Sequence, residues 1–255
     1  MENEVDVERT FTAFVRACGG EVLQDVFGPS PDFDNADYVF RNAGVVAELK
    51  RLVEDKSQDA AIKAKIQTLV HRWIDQRLIG PIYGTVRLES RKLPIQCQRE
   101  LMAVFAAPVK ARVRKANRQI RSSLEKLALN NGKGLLIVVN DGNYALETDV
   151  ALYLISKALG WKCHSINSVI YLTVNMLSQS PLAAAPVLVW VHAARQDIVP
   201  AIDHGFVDTL FDAWRTYLGK TVGHQIGLVP LSTREAVSQI RLDPRQSAPW
   251  SRRRR

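Results

Sequence analysis

Residues 32–52 read DFDNADYVFRNAGVVAELKRL, two apolar runs around a tight turn. The runs, Ala36 to Phe40 and Val45 to Leu49, flank Arg41-Asn42-Ala43-Gly44. β-Branched and aromatic residues on both sides of an Asn/Gly turn predict a β-hairpin. Charges in such an element normally occupy the turn or the wet face. Here Asp37 begins one arm, and Glu48 with Lys50 closes the other. Side chains alternate along a strand, so Glu48 and Lys50 share a face and Leu49 points the other way. Asp37 lies four residues before Arg41 and Glu48 four after Gly44, which makes them cross-strand neighbours.

Like charges in that position destabilise a sheet. A divalent cation between them reverses the sign. Two carboxylates that leave positions to water or phosphate oxygens suit Mg²⁺ or Mn²⁺. Lys50, on the same face, is placed to hold or help deprotonate an attacking water and to balance charge on a phosphate. The competing reading is an edge strand whose charges keep it from pairing with other chains.

Charge distribution points to a polyanionic partner. Residues 1–60 carry 13 of the 26 acidic side chains but only 6 of the 34 Lys and Arg, in a chain of net charge +8. An acidic patch in a basic protein fits a cation site that handles a polyanion, of which nucleic acid, DNA or RNA, is the commonest. Solvated surface charge is the plainer alternative. The Arg252 to Arg255 run adds four positive charges at the end and carries little weight.

At 255 residues the chain is long enough to bury a sizeable core. Its aliphatic runs are shorter than the roughly 20 apolar residues a membrane helix needs, so no membrane partner is expected. The acidic start MENEVDVERT does not resemble a secretory or transit segment. Cys18, Cys97 and Cys163 are scattered and odd in number, which favours reduced thiols, a cytoplasmic setting and no structural zinc. His71, His164, His192, His204 and His224 show no metal-ligand spacing. No P-loop, dinucleotide fingerprint or nucleophile elbow occurs.

Periodicity predicts a helix over 4–18 stopped by Gly19-Gly20, a short strand over 21–26, the hairpin, and a helix over 57–78 with Ser57 as its N-cap. Residues 82–93 follow no clear period. A long helical region after Pro94 is expected to break near Pro108. Strands are expected at 133–140, 166–175 and 187–192, and helices at 147–159 and 206–218. The order predicts an α/β fold, a mixed sheet covered by helices. One domain is expected over residues 1–242, with 57–130 as a helical elaboration and 243–255 as a flexible basic tail. Asp141-Gly142-Asn143 and Glu147, after the 133–140 strand, offer supporting polar groups or a plain turn.

Within PVKARVRKANRQIRSSLEKLAL, residues 108–129, Val109, Val113, Ala116, Ile120, Leu124 and Leu127 form one apolar stripe. Lys110, Arg112, Arg114, Lys115, Arg118, Arg121 and Lys126 occupy the remaining faces, opposed by Glu125 alone. A solvated helix normally intersperses acids for i,i+4 pairing. This face instead suits a phosphate backbone.

Asp37, ten intervening residues and then Glu48-Leu49-Lys50 resemble the core of the PD-(D/E)xK nuclease superfamily, which includes restriction endonucleases and Holliday-junction resolvases. The resemblance covers about 20 residues by motif and extends by element order to residue 140. It implies a restriction endonuclease-like fold and divalent-metal-dependent endonuclease activity on DNA, in defence, mobile-element or repair processes. It further implies metal ligation by Asp37 and Glu48, by the Leu49 carbonyl, and by an acid of the first helix, for which Glu8 is the candidate. Lys50 is then catalytic, and a homodimer or a partner subunit is a usual arrangement. The motif's Pro-Asp pair falls at Pro31-Asp32, whereas the well-placed acid follows Ala36. Asp34 competes for the metal role, and a non-catalytic nucleic-acid-binding module on the same fold is the alternative function.

Overall fold

The computed structural model describes residues 4–52, 60–84, 92–144, 146–180, 183, 185–231 and 234–248. Helix α1 (Val7–Ala17) opens at Asp6, whose carboxylate accepts from the Arg9 amide at 3.1 Å. This cap satisfies one of the amides that every helix start leaves without an intrahelical partner. The helix buries Val7, Phe11, Phe14 and Val15 and stops before Gly19, which takes φ +81°. Strand β1 is only Glu21–Val22, because the chain turns at once into helix α2 (Leu23–Phe27). The strand expected over 21–26 is therefore mostly helix.

The hairpin forms as expected. Strand β2 (Tyr38–Phe40) pairs antiparallel with β3 (Val45–Leu52), with Tyr38 opposite Ala47 and Phe40 opposite Val45. Between them Arg41–Ala43 makes one 3-10 turn. Gly44 closes it at φ +62°, in the left-handed region where a side chain is strained, and donates to the Arg41 carbonyl at 2.9 Å.

Helix α3 (Ala60–Asp75) and helix α4 (Ile95–Lys126) follow; Ser57 and residues 85–91 lie outside the described residues. Helix α4 runs unbroken through Pro108, contrary to the expected break. Proline there removes one ladder hydrogen bond. Packing on both sides compensates: Cys97 and Leu101 join Trp73 of α3, while Val109, Val113, Ala116 and Ile120 join the main core. The helical elaboration accordingly ends near Pro108, since the second half of α4 is integral to the fold.

Strand β4 (Lys133–Asn140) lies parallel to β3 from Val45–Lys133 to Leu52–Asn140. Helix α5 (Thr148–Leu159) returns the chain to β5 (Ser168–Thr173), parallel to β4. Strand β6 (Met176–Gln179) leaves the sheet, β7 (Leu188–Ala194) rejoins it antiparallel to β5, and helix α6 (His204–Val222) leads to the edge strand β8 (Leu228–Leu231). A short helix α7 (Arg234–Gln239) precedes β9 (Arg241–Ser247), which pairs with β6. The tail expected from residue 243 thus contains a paired strand. The main sheet is mixed and seven-stranded, in the order β1-β2-β3-β4-β5-β7-β8.

Helices cover both faces of the sheet. On one, Phe11 and Phe14 of α1 pack against Trp214 of α6 at ring separations of 4.8 and 5.1 Å. On the other, α4 and α5 bury Val113, Ile120, Leu154 and Ile155 against Leu136 and Val138. No helix among the described residues is long and apolar enough to cross a membrane.

Gly134 of β4 marks the tightest approach in the central sheet. A Cβ there would stand 1.7 Å from the Ser165 carbonyl oxygen and 2.6 Å from Ile120 Cγ2. The Gly134 amide is itself held in place, donating to Asn167 Oδ1 at 2.7 Å. Gly134→Ala is expected to cost about 3 kcal/mol or more, measured by urea unfolding, because backbone rather than a flexible tip would have to move.

Candidate active site

Asp37 is the residue immediately before β2, and the β2–β3 register carries it to Glu48. Its carboxylate Oδ2 accepts from the Leu49 amide at 2.7 Å, and its carbonyl accepts from the Leu23 amide at 2.8 Å. The splayed end of the hairpin is therefore held by side chain and backbone together. Glu48 is 1% exposed. Its Oε1 takes the Lys50 ammonium, while its Oε2 has no hydrogen-bond partner among the described residues.

Burial first, and the charge of Asp37 second, push the Glu48 carboxyl up to about 8; Lys50 only partly offsets them. Burial also raises Asp37, against the Leu49 amide and the Lys50 charge. Two carboxylates that both resist ionisation, one with a buried orphan oxygen, form a hard oxygen-donor pair. That donor set fits Mg²⁺ or Mn²⁺. Among the described residues, no three His, Cys, Asp or Glu side chains are gathered into a ready metal cage. A cation here would draw on Asp37, Glu48 and solvent or substrate oxygens.

Ala36, where the motif has proline, is fully buried, and its amide donates to Ser123 Oγ of α4 at 2.7 Å. Proline has no N–H to make that bond. The departure from the motif thus has a local cause.

Lys50 is held from two sides. Besides Glu48, its Nζ donates to Gln119 Oε1 of α4 at 2.9 Å, and Gln119 Nε2 donates to the Asn35 carbonyl at 2.8 Å. Sequence reasoning missed Gln119, because a lone glutamine on a basic helix matches no pattern. Gln119→Ala is expected to lower the turnover of any reaction centred on Lys50 about tenfold and to shift its pH profile, with little change in melting temperature. Restoration by Gln119→Glu, in part, would mark a positioning role.

The remaining candidates divide. Glu8 lies at the sheet's other face, where its nearest partner is Arg51 Nη1 at 3.5 Å, although its charge is felt at Asp37. Asp34 is exposed and pairs with Arg118 at 3.4 Å, away from Glu48. Arg51 Nη2 meets the buried Asp141 at 2.7 Å, and Asp141 also accepts from Asn175 at 2.7 Å. Asn175 in turn brackets the Val5 backbone by two hydrogen bonds. Asp141 therefore secures the chain entering α1, a structural role. Asn140 holds the turn that follows, receiving the Asn143 amide at 3.0 Å.

The stripe on α4 is buried at Val109, Val113, Ala116 and Ile120, as its spacing requires. Its basic residues lie on two flanks. Lys115 and Arg112 precede Gln119 by four and seven residues, which places them on the flank of Lys50. Lys110, Arg114 and Arg121 share the other flank, where the charge of Arg114 reaches Cys163. Arg118 is taken by Asp34, and Arg121 faces Glu125 at 3.9 Å. Arg112 and Lys115 are thus the basic residues best placed to serve the site. No family model, curated protein or solved structure matches the chain.

Proposed function

We propose that this chain is a divalent-cation-dependent endonuclease that hydrolyses phosphodiester bonds in DNA, on a restriction endonuclease-like arrangement of its hairpin, α4 and β4. The observation that carries the reading is the buried Asp37–Glu48 pair, set opposite by hairpin register, with an unpartnered Glu48 oxygen and the Lys50 ammonium beside it. A structural pair of like charges in a sheet would only cost stability.

Asp37 and Glu48 would hold the cation. When bound, it would polarise a phosphate oxygen and acidify a water. Lys50, anchored by Gln119, donates hydrogen bonds to the water or the scissile phosphate and keeps positive charge where negative charge develops. Arg112 and Lys115 steady the flanking phosphates. Glu8 reaches the site only through its charge.

The alternative, a DNA-binding module without chemistry, is favoured by one feature: Lys50 already neutralises Glu48 from within the chain. The test is cleavage of supercoiled plasmid and labelled oligonucleotides in Mg²⁺, Mn²⁺ and EDTA. Cutting that requires the metal is the expected result. Salt-sensitive DNA binding without cutting in any condition would establish the binding module instead.

A further inference from the structure

The first turn of α6 touches two strands that lie far apart in the chain. Its first residue, His204, stands against His192 of β7, with ring centroids 5.8 Å apart and planes at 81°. Two residues on, Phe206 packs edge-on against Phe40 of β2 at 5.2 Å. Phe40 is the last residue of its strand before the hairpin turn. Asp203 holds the first turn of α6 in shape. Its carboxylate accepts from the Phe206 amide at 3.0 Å, and its carbonyl accepts from the Val207 amide at 3.3 Å.

The histidine side of this turn has no place for a positive charge. Leu188 and Trp190, four and two residues before His192, share a core cluster with Val207 and Trp214, so strand alternation turns His192 toward α6. Its Nε2 is buried and has no hydrogen-bond partner among the described residues. A proton there would add a donor and a charge with no acceptor to receive them. From α6, His204 and Asp208 are the titratable groups whose charge reaches His192; β5 places the uncharged Ile170 beside it. Burial first and His204 second hold His192 below the ordinary histidine range, and Asp208 opposes them. His204 itself lies at the positive end of the α6 dipole, where a cation is disfavoured.

We propose that the first turn of α6 is a proton-sensitive latch on the hairpin, closed over Phe40 while the His192–His204 pair is neutral and loosened when the pair takes up a proton. His192 holds its proton less tightly in the closed state. Closure is therefore complete above an ordinary histidine value of about 6.5 and is lost as pH falls below it. The inference uses none of the nuclease chemistry. Glu48, further along the hairpin, has its own pH response, so the test reads individual amides rather than global stability.

The experiment is amide hydrogen exchange at pH 7.5 and 5.5, corrected for the intrinsic rate at each pH, on wild type, His192→Phe and His192→Gln. Thermal melts at pH 7.5 report whether each variant folds. In wild type, the amides of Phe206 and Val207 and that of Gly44 in the hairpin turn should lose about three- to tenfold in protection at pH 5.5. Tenfold is the ceiling for one proton a single pH unit below an ordinary histidine. Either variant that folds should keep its protection at both pH values. Unchanged protection in wild type, an equal loss in a folded variant, or a loss at α6 without one at Gly44 overturns the latch. The imidazole resonances of wild type give a check that needs no variant. His192 should titrate below pH 6.5, in step with the loss of protection, and titration at or above that value overturns the latch as well.

Discussion

Lys50→Ala is expected to lower the single-turnover rate of DNA cleavage roughly 10³-fold, within the range of a lost general acid–base or charge-stabilising group. DNA affinity measured in Ca²⁺ should change no more than about threefold, since one phosphate contact among several is removed. The split follows from where the lysine sits. Its ammonium is held between Glu48 and Gln119 at the buried end of the hairpin, whereas Arg112 and Lys115 lie along α4. The change also removes the cation that faces the buried Glu48 carboxyl, so a thermal melt of the variant accompanies the rate measurement. Lys50→Arg should rescue poorly, because a planar guanidinium does not replace a compact ammonium between two oxygen acceptors. A Lys50→Ala protein that cuts within tenfold of the wild-type rate would remove this residue from the chemistry. Equal losses of affinity and rate would make it a binding residue.

The central part of this fold was legible because its residues leave little choice. Val45 to Leu49 and the run Lys133 to Asn140 are too aliphatic for an exposed position, and Gly44 suits the left-handed closure of the hairpin turn. Counting outward from that turn placed Asp37 opposite Glu48, and the register agrees. What escaped is non-local or irregular. The Lys50–Gln119 and Arg51–Asp141 contacts join residues 69 and 90 apart, and neither pair leaves a periodic trace. Strands β8 and β9 contain Pro230 and Pro244, which ordinarily count against a strand; β8 tolerates its proline at the edge of the sheet. Pro108 misled in the opposite sense, because two packed halves hold α4 together across it. Helix-face counting turns Glu8 inward but carries no trace of its 3.5 Å contact with Arg51.

Glu48→Gln is expected to stabilise the protein in EDTA at pH 8 and to do so much less at pH 5. The sign follows from proton counting. The Glu48 carboxyl titrates near 8 in the folded chain against an ordinary value of 4.5, so between those limits the folded state holds a proton that the unfolded state has released. Stability must then fall as pH rises through that window, and the raised carboxyl of Asp37 works in the same direction. At 1.36 kcal/mol per pH unit, the three units between pH 5 and pH 8 correspond to at most about 4 kcal/mol, or roughly 8–16 °C in melting temperature for a domain of this size. Glutamine keeps the shape and removes the ionisation, leaving Lys50 with Gln119 and the glutamine carbonyl as acceptors. Mn²⁺ should reverse the pH trend in wild type, raising its melting temperature more at pH 8 than at pH 5, because a carboxylate must lose its proton to bind the ion. The glutamine variant should respond weakly to Mn²⁺ at either pH. A variant whose melting temperature differs from wild type by the same amount at both pH values would show that the Glu48 carboxyl does not titrate in this window. A wild-type protein indifferent to Mn²⁺ at pH 8 would show that the carboxylate pair holds no cation, and the hairpin charges would then act only within the chain.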